Sequence, residues 1–202
     1  TNPEKYAHVW MGKYQRHSQS RVFHNWRIGE ESEFRPGPKT RFYYGCDWGF
    51  TIDPSCIVRM YIDGRKLYID REAYQIGCEI DKLPALFDKC DAGQARKWPV
   101  RADAARPDVI SYLNRHGYPR VVPCRKGAGS VEEGVEFLQS FDIIVHPTRC
   151  QHVVEELTNY SYKITEVGGT IEQESRPSTE ITLVNELTAN GNTNVLTMRA
   201  FT

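Results

Sequence analysis

Arg41-Phe42-Tyr43-Tyr44-Gly45-Cys46-Asp47 opens the stretch that decides the fold. It is a run of aromatic and small residues that ends on an acid, and Trp48-Gly49-Phe50 turns the chain after it. Apolar side chains on both faces read as a strand inside a sheet. Cys56-Ile57-Val58-Arg59-Met60-Tyr61-Ile62 reads as a second strand. Asp63-Gly64 is a hairpin signal, and Lys66 to Tyr74 reads as the third strand. Three antiparallel strands in a row are expected.

Beyond them the apolar period changes. Ile80, Leu83, Phe87 and Cys90 fall on one helical face, with Pro84 tolerable only near the start of the regular helix. Trp98 to Asp103 reads as a strand that again ends on an acid. Pro107 opens a helix carrying Val109, Ile110 and Leu113, and Gly117 closes it. Tyr118 to Cys124 reads as a strand, and Ser130 with Glu133 as a capping box over a helix. Ile143-Ile144-Val145 is a short buried strand, and Thr148 is the expected cap of a helix bearing Cys150, Val153, Val154 and Leu157. Gly168-Gly169 marks a final hairpin. The order βββαβαβαβα, then a hairpin, is that of an α/β, RNase H-like mixed sheet flanked by helices. Element order alone is a weak warrant for that fold.

Working back from this core, residues 1–40 are polar and aromatic-spotted and end in Arg35-Pro36-Gly37-Pro38-Lys39, so they read as an arm or linker. The 202 residues are enough for one substantial core. No apolar run approaches the roughly 20 residues of a membrane span. The six cysteines form no C-x-x-C pair, which argues against a zinc knuckle and for free thiols in a reducing, cytosolic setting. Net charge is zero, yet residues 95–126 carry eight Lys/Arg against two acids and residues 127–202 carry four against eleven. The basic middle is a candidate surface for a polyanion, and on charge alone equally a solvated face.

Asp47 and Asp103 end the first and fourth of these strands. Parallel neighbours would bring both carboxylates to one sheet edge. Close carboxylates need a shared proton or a cation, and hard divalent ions take oxygen ligands. Two such ions about 4 Å apart support phosphodiester hydrolysis. On spacing alone the two acids read first as turn caps. His146 reads as structural, and His152 with Glu156 is a weak i, i+4 metal signal. No G-x-x-x-x-G-K-[ST] loop exists.

The segment Tyr43-Tyr44-Gly45-Cys46-Asp47-Trp48-Gly49-Phe50 resembles the opening strand of the nuclease domain of tailed-bacteriophage terminase large subunits. Ala102-Asp103-Ala104-Ala105-Arg106-Pro107, Lys126-Gly127 through Gly129-Ser130-Val131-Glu132-Glu133-Gly134, and Tyr160-Ser161-Tyr162-Lys163 resemble further family segments in the right order. Asn2 to Trp10 resembles the connection between the packaging ATPase and that nuclease. The resemblance covers about residues 1–163. It implies an RNase H-like, metal-dependent endonuclease that cuts concatemeric double-stranded viral DNA during packaging, by water attack with two Mg²⁺ or Mn²⁺ ions.

The same resemblance assigns residues 1–40 to a linker from a preceding ATPase domain and residues 41–202 to the nuclease. It implies a portal and a small terminase subunit as partners, no membrane, and the host cytoplasm as location. Asp47 and Asp103 match the first two metal-binding acids. Lys126 matches a basic position near the site, and Arg106 and Arg125 are expected with it on DNA.

The family's third acid, from a late helix, has no counterpart. No Asp follows Asp142, and Leu196 stands where the pattern expects one. Glu180 and Glu186 are the acids at the right distance, with Glu186 preferred. That gap keeps open a catalytically silent DNA- or portal-binding module. A junction resolvase or recombinase would share fold and metals, but the leader argues against it.

Overall fold

The computed structural model describes residues 21–49, 52–124, 130–167, 170–177, 181–184 and 195–198. Its centre is a seven-stranded mixed sheet. In chain order the elements are β1 (Trp26–Ile28), β2 (Phe42–Asp47), β3 (Pro54–Asp63), β4 (Lys66–Ile76), α1 (Leu83–Asp91), β5 (Val100–Ala102), α2 (Pro107–Arg115), β6 (Val121–Pro123), α3 (Ser130–Gln139), β7 (Asp142–Val145) and α4 (Gln151–Asn159). Outside the sheet follow two antiparallel pairs, β8 (Tyr162–Val167) with β9 (Thr170–Pro177), and β10 (Ile181–Val184) with β11 (Val195–Met198).

Across the sheet the order is β1-β7-β4-β3-β2-β5-β6. β3 runs antiparallel to both its neighbours, and every other pairing is parallel. The β2–β3–β4 meander is the expected one. Gly64, at φ +60°, turns the chain between β3 and β4 in a conformation that glycine adopts without steric cost. The α-helical crossovers then place β5 beside β2 and β6 beside β5, and α3 carries the chain back to set β7 beside β4.

Alternation along the strands builds two apolar layers. Tyr44, Cys46, Ile57, Val100 and Ala102 face Leu86 and Phe87 of α1 and Leu113 of α2. Val58, Met60, Ile69, Ile143 and Val145 face Leu138 of α3 and Val153 and Leu157 of α4. Each fully buried large side chain contributes about 1.5–3 kcal/mol. Helix ends follow the sequence signals: Pro84 sits in the first turn of α1, and Pro107 starts α2.

Three details depart from the sequence reading. The expected arm is partly body. Val22 and Phe23 are fully buried among α3, α4 and the sheet, and β1 extends the sheet beyond β7. Asn25 donates to the carbonyls of Leu138 (2.8 Å) and Phe141 (2.6 Å), satisfying the end of α3. Such polar, aromatic-spotted segments lack a strand pattern because β1 is short and pairs only at the edge. Second, β5 and β6 are three residues each, shorter than the apolar runs that suggested them. Third, Thr148 does not cap α4. The helix starts at Gln151, and the Glu72 carboxylate reaches over from β4 to accept from the amides of His152 and Val153, each at 3.0 Å. All six cysteines are free thiols.

Candidate active site

β2 and β5 pair in parallel with Cys46 beside Ala102. The Asp103 amide donates to the Cys46 carbonyl at 3.3 Å, so the hydrogen bonding runs one residue past the end of β5. Strand spacing then puts the Asp47 and Asp103 backbones about 4.8 Å apart. Cys46 and Ala102 belong to the layer under α1 and α2. The next residue on each strand therefore turns to the other face, where Cys124 and Val58 pack with α3 and α4. Both acids are buried, Asp47 at 1% exposure and Asp103 at 8%. Carboxylates are rarely this buried without partners, so the position marks them as specialised.

The turn after β2 ties the two strand ends together. The Trp48 amide donates to Asp47 Oδ1 at 2.8 Å. Its indole Nε1 donates to the Asp103 carbonyl at 3.0 Å, and its ring stacks on Phe87 of α1. Gly49 follows because nothing larger fits: a Cβ there would lie 2.0 Å from the Asp53 carbonyl oxygen. The Ser55 hydroxyl accepts from the Gly49 amide at 3.1 Å and closes the turn. Asp103 is held by its own turn, with the Ala105 amide donating to Oδ1 at 3.3 Å.

Buried thiols surround the pair. Cys56 lies directly across β2–β3 from Asp47. Burial first, then the charge of Asp47, pushes the Cys56 thiol well above its usual range. Burial, then Cys56 and Asp47, does the same to Cys46. The hard donors at this edge are the carboxylate oxygens of Asp47 and Asp103. That chemistry fits Mg²⁺ or Mn²⁺. Among the described residues no group of three or more His, Cys, Asp or Glu is placed to hold a metal ion.

Beside Cys56 a shallow surface depression is lined by Glu72, Tyr74, His152 and Glu156, among others. His152 meets Glu72 of β4. Its Nδ1 lies 2.7 Å from Glu72 Oε1, and its ring stacks on Tyr74. Burial first, then Glu156, raises the Tyr74 phenol. Glu72 therefore has two duties, capping α4 and orienting His152. His146 is 1% exposed, and its Nδ1 faces the amides of Thr148 (3.2 Å) and Arg149 (3.3 Å) in the loop before α4. That is the structural role expected of it.

Of the expected DNA contacts, Arg106 lies three residues beyond Asp103, with its guanidinium held by Asp108 at 3.0 and 2.8 Å. Arg125, Lys126, Glu180 and Glu186 lie outside the described residues. Sequence reasoning missed Trp48 as a tie, Glu72 as a cap and Ser55 as a turn closer. Only Gly49, after an acid and a tryptophan, signalled a turn with no room for a side chain.

The chain matches a family model described as the terminase RNase H-like domain over residues 47–187. It is 30% identical over 178 residues to the terminase large subunit of Bacillus phage SPP1, covering 84% of this chain and 41% of that protein. It is 31% identical over 138 residues to the PBSX phage terminase large subunit of Bacillus subtilis strain 168, covering 67% and 31%. The chain thus spans less than half the length of either relative. Its fold matches the crystal structure of the large-terminase nuclease domain of bacteriophage SPP1 with bound Mn, at a TM-score of 0.62 and 24% identity, over 76% of this chain and 89% of that one. The segment 47–187 begins on Asp47 itself and contains both buried acids, and on that match the chain belongs to the terminase RNase H-like domain family.

Proposed function

We propose that this domain is a divalent-metal-dependent endonuclease that cuts concatemeric double-stranded phage DNA during packaging. The observation that carries the reading is the parallel β2–β5 pairing, which brings Asp47 and Asp103 to adjacent strand ends on one face. Asp47, on β2 between β3 and β5, would hold both proposed ions, and Asp103 one of them. Bound Mg²⁺ or Mn²⁺ would supply Lewis-acid stabilisation and a water activated for in-line attack. The protein's own work is to keep the carboxylates spaced and backed by a dry layer. Glu186, or Glu180, is the proposed third donor.

The basic stretch from Arg96 to Lys126, with Arg106 and Arg125 in it, is proposed to meet the DNA backbone. Phosphate contacts carry no base information, which suits a cutter of broad sequence tolerance. Residues 1–40 are proposed to lead from a packaging ATPase domain of the same full-length chain, with portal and small subunit as partners in the host cytoplasm. No helix among the described residues is long and apolar enough to cross a membrane.

The test is cleavage of supercoiled plasmid in Mg²⁺, Mn²⁺ or EDTA, beside Asp47→Asn and Asp103→Asn. Metal-dependent nicking lost in both variants supports the reading. DNA binding with equal inertness in wild type and variants overturns it in favour of a silent binding module.

A further inference from the structure

We propose that Trp48 is a positioning residue that sets the spacing of the two carboxylates and thereby the metal affinity of the site. The inference rests on the nuclease reading and deepens it. Asp47 and Asp103 arrive on different strands, and β5 is only three residues long. A short strand has few ladder hydrogen bonds to hold its end in place. Trp48 supplies a further bond at that end. Its amide reaches back to Asp47 Oδ1 at 2.8 Å, and its indole reaches across to the Asp103 carbonyl at 3.0 Å. One residue therefore contacts both acid-bearing positions.

The surroundings leave Trp48 a single place to be. It is 5% exposed, and its ring lies parallel to Phe87 at 6.3 Å between centroids and 6° between planes. Phe87 is itself fully buried and packs edge-on against Tyr118 at 5.0 Å. Behind the tryptophan, Gly49 and Ser55 close the turn, so the backbone carrying the indole cannot swing away. The indole hydrogen bond ties the end of β5 to the turn that follows β2. Divalent ions with near-octahedral demands punish small errors in donor spacing. Groups that orient ligands without touching the ion typically change metal affinity by about 10–100-fold when removed.

The experiment measures Mn²⁺ affinity by titration calorimetry, and melting temperature in EDTA, for four proteins. These are wild type, Trp48→Phe, Phe87→Leu and Asp47→Asn. Trp48→Phe keeps an aromatic ring on Phe87 and loses the indole N–H. It is expected to weaken Mn²⁺ binding by about 10–100-fold. Phe87→Leu damages the core under the ring but leaves both hydrogen-bonding groups in place. It is expected to lower the melting temperature while holding Mn²⁺ affinity within about threefold, well inside the loss that a lost orienting group causes.

Replacing Trp48 with benzothienylalanine, which keeps the ring shape without the donor, carries the same expectation if Trp48→Phe does not fold. Wild-type affinity in the donor-less variants overturns the proposal. So does an equal loss in Phe87→Leu, which would make the effect one of general destabilisation. Binding unchanged in Asp47→Asn, or absent in wild type, overturns the metal-site reading itself and the Trp48 role with it.

Discussion

Arg59 is the residue whose loss the fold should tolerate least. It lies on β3 at 4% exposure, with Asp70 (2%), Asp91 (3%) and Tyr44 (0%) around it. Its guanidinium meets Asp70 in a two-pronged contact at 3.0 and 2.6 Å and reaches Asp91 at 3.7 Å. Tyr44 donates to the same Asp91 oxygen at 2.5 Å, and burial, then Asp91, raises its phenol far above the usual range. The Arg59 head also lies over the Phe42 ring at 4.4 Å. One buried cation thus serves two buried carboxylates. Arg59→Met keeps much of the apolar volume and leaves both acids without it. Removing one partner of a buried pair costs about 3–5 kcal/mol. At about 2–4 °C per kcal/mol for a chain of this size, the melting temperature should fall by about 6–20 °C.

The assay is urea unfolding of wild type and variant at neutral pH. A loss below about 1 kcal/mol, as for a surface ion pair, would refute the argument.

Other outcomes follow from the same geometry. Burial, with Arg149 beside it, holds the His146 imidazole below its ordinary 6.5, so the fold prefers it neutral. Stability from this group is present above the unfolded value and is lost as pH falls below 6.5, and His146→Asn should flatten that loss in melting curves. Gly49→Ala forces a methyl against the Asp53 and Pro54 backbone and should cost about 1–3 kcal/mol by denaturant titration, with weaker Mn²⁺ binding. Mn²⁺ at about 100 times its dissociation constant should add about 2.7 kcal/mol to stability. EDTA should remove that gain, and Asp103→Asn should never show it.

Much of this was legible in the residues. The β2–β3–β4 meander and the α/β alternation after it were readable because period, proline and glycine placement act locally. Asp47 and Asp103 were visible as strand ends, and the family segments around them gave them roles. The buried segment 21–28 was not legible, since Val22 and Phe23 pack through contacts with α3 and α4 far along the chain. The cap of α4 was misread for the same reason: a threonine near the helix start is a local signal, and Glu72 from another strand took the amides.

The sequence by itself determined the element order and the chemistry on offer: oxygen ligands, buried thiols and a basic middle. Only the tertiary structure decided that the two acids meet, because parallel pairing joins strands that are remote in the chain and alternation alone cannot say which strands become neighbours. It also decided what holds them. The indole of Trp48 on the Asp103 carbonyl, Glu72 on α4 and His152, and Arg59 between two aspartates are hydrogen bonds and ion pairs between separate elements. They form only where folding has brought groups remote in the chain within reach of one another.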